Sequence, residues 1–217
     1  MNIQIKNCSK KIKGTTVLQN INLELSGAAV YGLQGPNGSG KTMLMRLISG
    51  LIRPTSGSII IAGSIIIDGK TLGRDFDFPP SMGLLLENPE FLSEYTGIIN
   101  LKLLANIQGR IGQEDICQAL LKVGLSPEDK RKYRKYSLGM KQRLGIAAAI
   151  MERPDLILLD EPTNSLDEKG TEQICELIRA ECHRGALIVL ASHDSKVIER
   201  VADEIYVVNS GCVQRKI

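Results

Sequence analysis

Gly35-Pro36-Asn37-Gly38-Ser39-Gly40-Lys41-Thr42 follows an apolar run, Ala28 to Leu33, and leads into Met43-Leu44-Met45-Arg46-Leu47-Ile48, a stretch of helical character. An octet of the form G-x-x-x-x-G-K-[ST] between a strand and a helix is the pattern that cradles nucleotide phosphates. Gly35, Gly38 and Gly40 carry no Cβ, so the backbone can curl with its N–H groups pointing inward. A helix opening at Gly40 and Lys41 adds unpaired N-terminal donors and the positive end of its dipole. Lys41 is suited to neutralise charge on the β- and γ-phosphates, and the Thr42 hydroxyl to hold a Mg²⁺.

Outward from this loop, the chain bounds its own class. It has 217 residues, 43% of them hydrophobic, enough for one large domain with a full core. A net charge of +3 is too slight to argue for nucleic acid. Five cysteines (Cys8, Cys117, Cys175, Cys182, Cys212) are scattered, odd in number and without a C-x-x-C pair. They read as small buried apolar residues of a reducing cytoplasm. No apolar run approaches the roughly 18 residues of a spanning helix, and MNIQIKNCSKKIKG has no signal-type apolar core. A cytoplasmic protein is expected, with any membrane role requiring a partner chain.

Upstream of the loop, residues 2–8 and 17–25 alternate as two strands of a small antiparallel unit, with Lys10 to Gly14 as a basic turn between them. Gly50 is placed to cap the helix after the loop. GSIIIA (57–62) followed by GSIIID (63–68) is a near-repeat that reads as a hairpin of the same sheet. Met82 to Leu86 reads as a buried strand ending at Glu87. Helical segments follow at 98–108, at 113–123 and from near Leu138. Ser126-Pro127-Glu128-Asp129 has the pattern of a helix cap with proline at the first position, and KRKYRK (130–135) reads as a solvated helix face. From 153 onward, apolar strands (156–159, 186–191, 205–208) alternate with helices (168–181, 195–201), and a last strand follows Asn209-Ser210-Gly211. The expected fold is α/β: a mostly parallel sheet covered by helices, an N-terminal antiparallel β subdomain and an inserted helical subdomain. The divisions are 1–87, 88–152 and 153–217 of a single domain.

Ile157-Leu158-Leu159-Asp160-Glu161-Pro162 places two carboxylates at the carboxyl end of an apolar strand, the edge where open α/β sheets bind ligands. Asp160 is suited to Mg²⁺, and Glu161 to orienting or deprotonating a water that attacks the γ-phosphate.

Tyr136-Ser137-Leu138-Gly139-Met140-Lys141-Gln142-Arg143 resembles the signature motif of ATP-binding cassette (ABC) transporter ATPases. Asn164-Ser165-Leu166-Asp167 resembles their D-loop, and Ala191-Ser192-His193-Asp194 their switch-histidine loop. The motifs stand in the family's order over essentially the whole chain. The resemblance implies a head-to-tail dimer that sandwiches ATP and Mg²⁺, with Ser137 and Gly139 of one copy donating to the γ-phosphate held by the other. It makes His193 a γ-phosphate sensor, adds Val17 and Met43 to the nucleotide site, and makes Glu87 a metal ligand in a loop that couples to a membrane subunit. His183 keeps the reading of a helix-end surface group.

Three positions depart from the family pattern. Ile12 stands where many members stack an aromatic on adenine, which weakens base stacking. Glu87 replaces the family's glutamine and has no N–H to donate. Met140 replaces the usual signature glutamine, as in exporter-type cassettes whose permeases are separate chains. The expectation is therefore the ATPase of an exporter, peripheral on the inner membrane face and docked on a multi-span permease through Phe91, Leu92 and Tyr95. The rival readings are a soluble relative acting on ribosomes or DNA, and a low-turnover regulatory subunit. The roughly 65 residues between Glu87 and Arg153 leave no room for the long coiled coil of the former. The presence of both Glu161 and His193 argues against the latter.

Overall fold

A computed structural model describes residues 1–55 and 65–216. Two sheets organise them. The smaller is antiparallel, in the order β2-β1-β4-β5, from β1 (Asn2–Ile12), β2 (Thr15–Ser26), β4 (Ile65–Ile67) and β5 (Lys70–Thr71). The larger has the order β10-β9-β3-β8-β7-β6. Its members are β3 (Val30–Gln34), β6 (Met82–Leu85), β7 (Leu156–Asp160), β8 (Leu187–Ser192), β9 (Glu204–Asn209) and β10 (Cys212–Arg215). All neighbours in it are parallel except the β9–β10 hairpin at one edge.

The apolar runs of β7 and β8 are continuous because both faces of the sheet are covered. Leu156, Leu158, Leu187, Val189 and Ala191 point into a core shared with the antiparallel sheet and α1 (Lys41–Ile48). Ile157, Leu159, Ile188 and Leu190 point the other way, into a core shared with the remaining helices. Each fully buried Leu or Ile contributes about 2 kcal/mol by removing apolar surface from water. Those helices are α2 (Gly97–Gln108), α3 (Gln113–Lys122), α4 (Leu138–Ile150), α5 (Glu168–His183) and α6 (Ser195–Val201). The parallel strands end on one edge, which gathers Gln34, Leu85, Asp160 and Ser192.

Local readings shift at four places. The basic turn is shorter than expected: β1 runs through Lys10, Lys11 and Ile12, and only Lys13 and Gly14 turn, with φ of 48° and 84°. A two-residue type I′ hairpin needs positive φ at both central positions, which this pair supplies. Ser126 to Asp129 caps no helix. Ser126 Oγ accepts the Glu128 amide at 3.2 Å, and Asp129 is occupied by the Arg131 amide and guanidinium, so the chain closes a turn instead. KRKYRK is accordingly extended, with a single 3₁₀ turn at Tyr133–Lys135. Tyr133 is buried, and Lys132 and Arg134 pair with Glu94. The strand before Glu87 is a sheet edge, buried only on alternate residues. The first copy of the near-repeat lies outside the described residues. Within the second, Ile65–Ile67 joins the antiparallel sheet as expected.

Candidate functional site

β3 delivers Gln34 to the sheet edge, and the octet closes from there onto α1. Gly40 is the residue before the helix, at φ 113°, a left-handed conformation that favours glycine. The first rung of the α1 ladder is Leu44 N–H to Gly40 C=O, so the amides of Lys41, Thr42 and Met43 precede it and face outward as donors. Lys41 is buried, and its ammonium donates to the Gly35 and Pro36 carbonyls at 2.7 and 3.1 Å, folding the lysine back over the loop. The hairpin between β9 and β10 supports the loop from behind: Gly211 N–H donates to Ser39 C=O. Ser39 Oγ is buried without a hydrogen-bond partner among the described residues, an unmet polar group inside the cradle.

A cavity of about 500 Å³ opens over this loop. Asn37, Gly38, Gly40 to Met43 and Val17 line it together with Glu87, Asp160 and Glu161, whereas Gly35, Pro36 and Ser39 do not. Thr42 Oγ1 donates to Asp160 Oδ2 at 2.5 Å, which joins the loop to the end of β7. Burial pushes the Asp160 carboxyl above its ordinary range. The Thr42 hydrogen bond and Lys41 oppose that push, while the charges of Glu161 and Glu87 add to it. A buried carboxylate beside a hydroxyl and open amides is suited to a cation carried on phosphate oxygens. The described residues contain no group of three or more His, Cys, Asp or Glu that would cage a metal unaided. The donor set therefore fits a phosphate-bound Mg²⁺.

Glu161 adopts φ 48°, and its carboxylate is fixed on several sides. Ser192 Oγ donates to it at 3.1 Å, the His193 amide at 2.9 Å, and His193 Nδ1 stands 2.9 Å away. β7 and β8 are neighbours in parallel register, and this brings the acidic pair and the histidine together across 32 residues of chain.

Other expected residues are placed differently. The Glu87 carboxylate meets Arg46 Nη2 at 2.6 Å rather than the Thr42–Asp160 pair. Ser137 caps α4, accepting the Met140 amide, but neither it nor Gly139 lines the cavity of its own chain. Phe91 is half-buried and lines a groove with Asn88 to Glu90. It packs edge-on against Tyr133, leaving Leu92 and Tyr95 exposed.

Several cavity residues escaped sequence reading as site groups: Thr15, Thr16, Asn88, Ser210, Gly211 and Gln142. Ile12 ends β1 just ahead of them and is exposed. Gln142 is buried and donates to the Glu161 carbonyl at 2.9 Å. Its place in the signature stretch was the available sign.

The family model described as ABC transporter matches residues 18–164. The chain belongs to the ABC transporter family. It is an ATP-binding subunit, an ABC cassette ATPase with the family's α/β fold. Over 209 residues this ABC subunit is 46% identical to the ABC transporter ATP-binding protein YybJ of Bacillus subtilis (strain 168), covering 96% of this chain and 93% of that one. It is 39% identical to the bacitracin transport ATP-binding protein BcrA of Enterococcus faecalis, over 96% of this chain and 67% of the other. With the lantibiotic transport ATP-binding protein SrtF of Streptococcus pyogenes, it shares 36% identity over 96% and 87%. Among solved structures it resembles the dimeric bacterial ABC transporter cassette MJ0796, with a TM-score of 0.86, 25% identity and coverage of 98% and 97%.

Proposed function

We propose that this cassette hydrolyses ATP with Mg²⁺ to drive export through a separately encoded multi-span permease, on whose inner face it sits. Relatives named for bacitracin and lantibiotic transport support the export reading. No described helix is long and apolar enough to cross a membrane. Exposed Leu92 and Tyr95, near the start of the 88–152 lobe, are the docking surface in this reading.

The observation that carries the hydrolytic assignment is the fixed carboxylate of Glu161, held by Ser192 and His193 one residue from Asp160. Glu161 takes a proton from the water that attacks the γ-phosphorus, and the bond to the β-phosphate oxygen breaks as the new P–O bond forms. Lys41 and the amides of Lys41 to Met43 balance the charge of the phosphate oxygens. Thr42 and Asp160 would hold Mg²⁺, which when bound neutralises β- and γ-phosphate charge. His193 keeps Glu161 in place and reads the γ-phosphate. Ser137 and Gly139, absent from their own cavity, serve the nucleotide of a second copy; the dimeric state named for MJ0796 supports this.

Glu161→Gln keeps the size of the side chain and loses the base. ATP hydrolysis should fall about 10²-fold or more while ATP binding stays within a few-fold of the parent. Steady-state phosphate release and equilibrium nucleotide titration measure the two, and parental turnover in the variant would remove Glu161 from its role.

A further inference from the structure

The cavity over the nucleotide loop has two chemically different ends. At one, Thr42 meets Asp160 with Glu161 beside them. At the other, Gly40 faces β2 and the β9–β10 turn: a Cβ there would come 3.2 Å from the Val17 carbonyl oxygen and 3.5 Å from the Gly211 Cα. A triphosphate with its terminal phosphate at Glu161 runs back along the open amides of the loop. Its nucleoside then leaves between Thr15 to Val17 on one side and Ser210 and Gly211 on the other.

That end holds little that a base can use. Thr15, Thr16 and Ser210 are exposed and bring three small hydroxyls, Val17 is half-buried, and Gly211 presents bare backbone. None of the described residues lining the cavity is aromatic, so a base finds no ring to stack on. The buried tyrosines are spent elsewhere, Tyr31 and Tyr206 in the core between the sheets, Tyr133 and Tyr136 in the core under the helices. Ile12 lies directly across from Thr15 in the β1–β2 register, so the two side chains share a face at the mouth of this end. It is exposed and offers an aliphatic branch where a ring would reach the base.

The hydroxyls do not read the base either. A hydroxyl rotates and both donates and accepts, so it pairs with any base edge. Strong rejection of a wrong base needs polar groups that are buried and left unpaired by it. At exposed Thr15, Thr16 and Ser210 water fills in for a missing partner, and the wrong base meets no penalty.

We propose that this cassette is a general nucleoside triphosphatase, which takes ATP, GTP, CTP and UTP alike and recognises their Mg²⁺-triphosphate while leaving the base unread. Each nucleotide passes its γ-phosphoryl group to water, giving the nucleoside diphosphate and phosphate. This deepens the reading that the cavity takes ATP with Mg²⁺ and rests on it.

The test uses the whole chain. A ribose-labelled fluorescent ATP analogue is bound with Mg²⁺ and displaced by ATP, GTP, CTP, UTP and inorganic tripolyphosphate, and kcat/KM for phosphate release is measured for the four nucleotides. In the parent, half-displacement concentrations and kcat/KM values should each agree within about fivefold among the four, the low end of what one stacked base contributes. Ile12→Tyr, at an exposed position outside both cores, should tighten ATP and GTP about fivefold or more and the smaller pyrimidines less, with tripolyphosphate unchanged. Ile12→Leu should match the parent. A parent that favours ATP more than about fivefold over any of the other three overturns the proposal, as does an Ile12→Tyr protein that nucleotides displace no better than the parent. Absence of both analogue binding and phosphate release counts against the ATP reading itself, and the inference falls with it.

Discussion

Gly35 shows how little room the nucleotide loop has. A Cβ at that position would overlap the backbone carbonyl of Val208 in β9 and come within 2.9 Å of Ser39 Oγ. Gly35→Ala should cost about 1–3 kcal/mol of stability, because a backbone carbonyl cannot rotate out of the way. Displacing the loop should also weaken nucleotide binding; chemical denaturation and nucleotide titration read the two effects. At this scale sequence reading names a residue where its type in a given order has few other uses. Lys41, Thr42, Asp160 and Glu161 were nameable because few other roles need those groups in that order, and the cavity gathers all four. It does less well where a residue chooses between partners. Glu87 could be read as a metal-binding carboxylate, but Arg46, 41 residues away, has no local pattern that announces it.

Elements are positioned by contacts that ordinary local patterns do not encode. Asp203, at the entry to β9, accepts the Val30 amide at the start of β3 and the Arg179 guanidinium of α5, both at 2.8 Å. Burial pushes its carboxyl up, yet the Val30 and Arg179 bonds outweigh burial and hold it below the ordinary 3.8. The folded chain then binds fewer protons than the unfolded one between those two pKa values. The resulting stability is present above about 3.8 and disappears as pH falls through the folded value. Solvent screens the Arg179 pair, whose side chains are well exposed, so Asp203→Asn should cost no more than about 1 kcal/mol at neutral pH. The gap to the parent should shrink as pH drops below 3.8. Urea unfolding at both pH values tests this. Parallel strands and most helices were legible because buried apolar runs and amphipathic periods are set by the layers they face. Ser126 to Asp129 was not, because a serine accepting a nearby amide looks the same before a helix and in a tight turn.

Across the whole molecule, topology assembles the site from parts that share no stretch of sequence. Thr15, Thr16, Ser210 and Gly211 reach the cavity because β9 runs beside β3, and the β9–β10 turn falls against β2. No period or motif predicts that meeting. In the proposed dimer, the Glu161→Gln protein should run as a monomer without nucleotide and as a dimer with saturating MgATP. Size-exclusion chromatography with light scattering distinguishes the two states. Helix α4 gives this assembly a particular property. It starts at the Ser137 cap, and Gln142, little more than a turn further on, grips the carbonyl of Glu161. A helix is stiff over such a span, so a tug on its first turn from one triphosphate is felt at the catalytic carboxylate that serves the other. The two halves of the pair should therefore fire in concert, with reaction velocity climbing more steeply than a hyperbola as ATP rises. Gln142→Ala should flatten that curve toward independent sites.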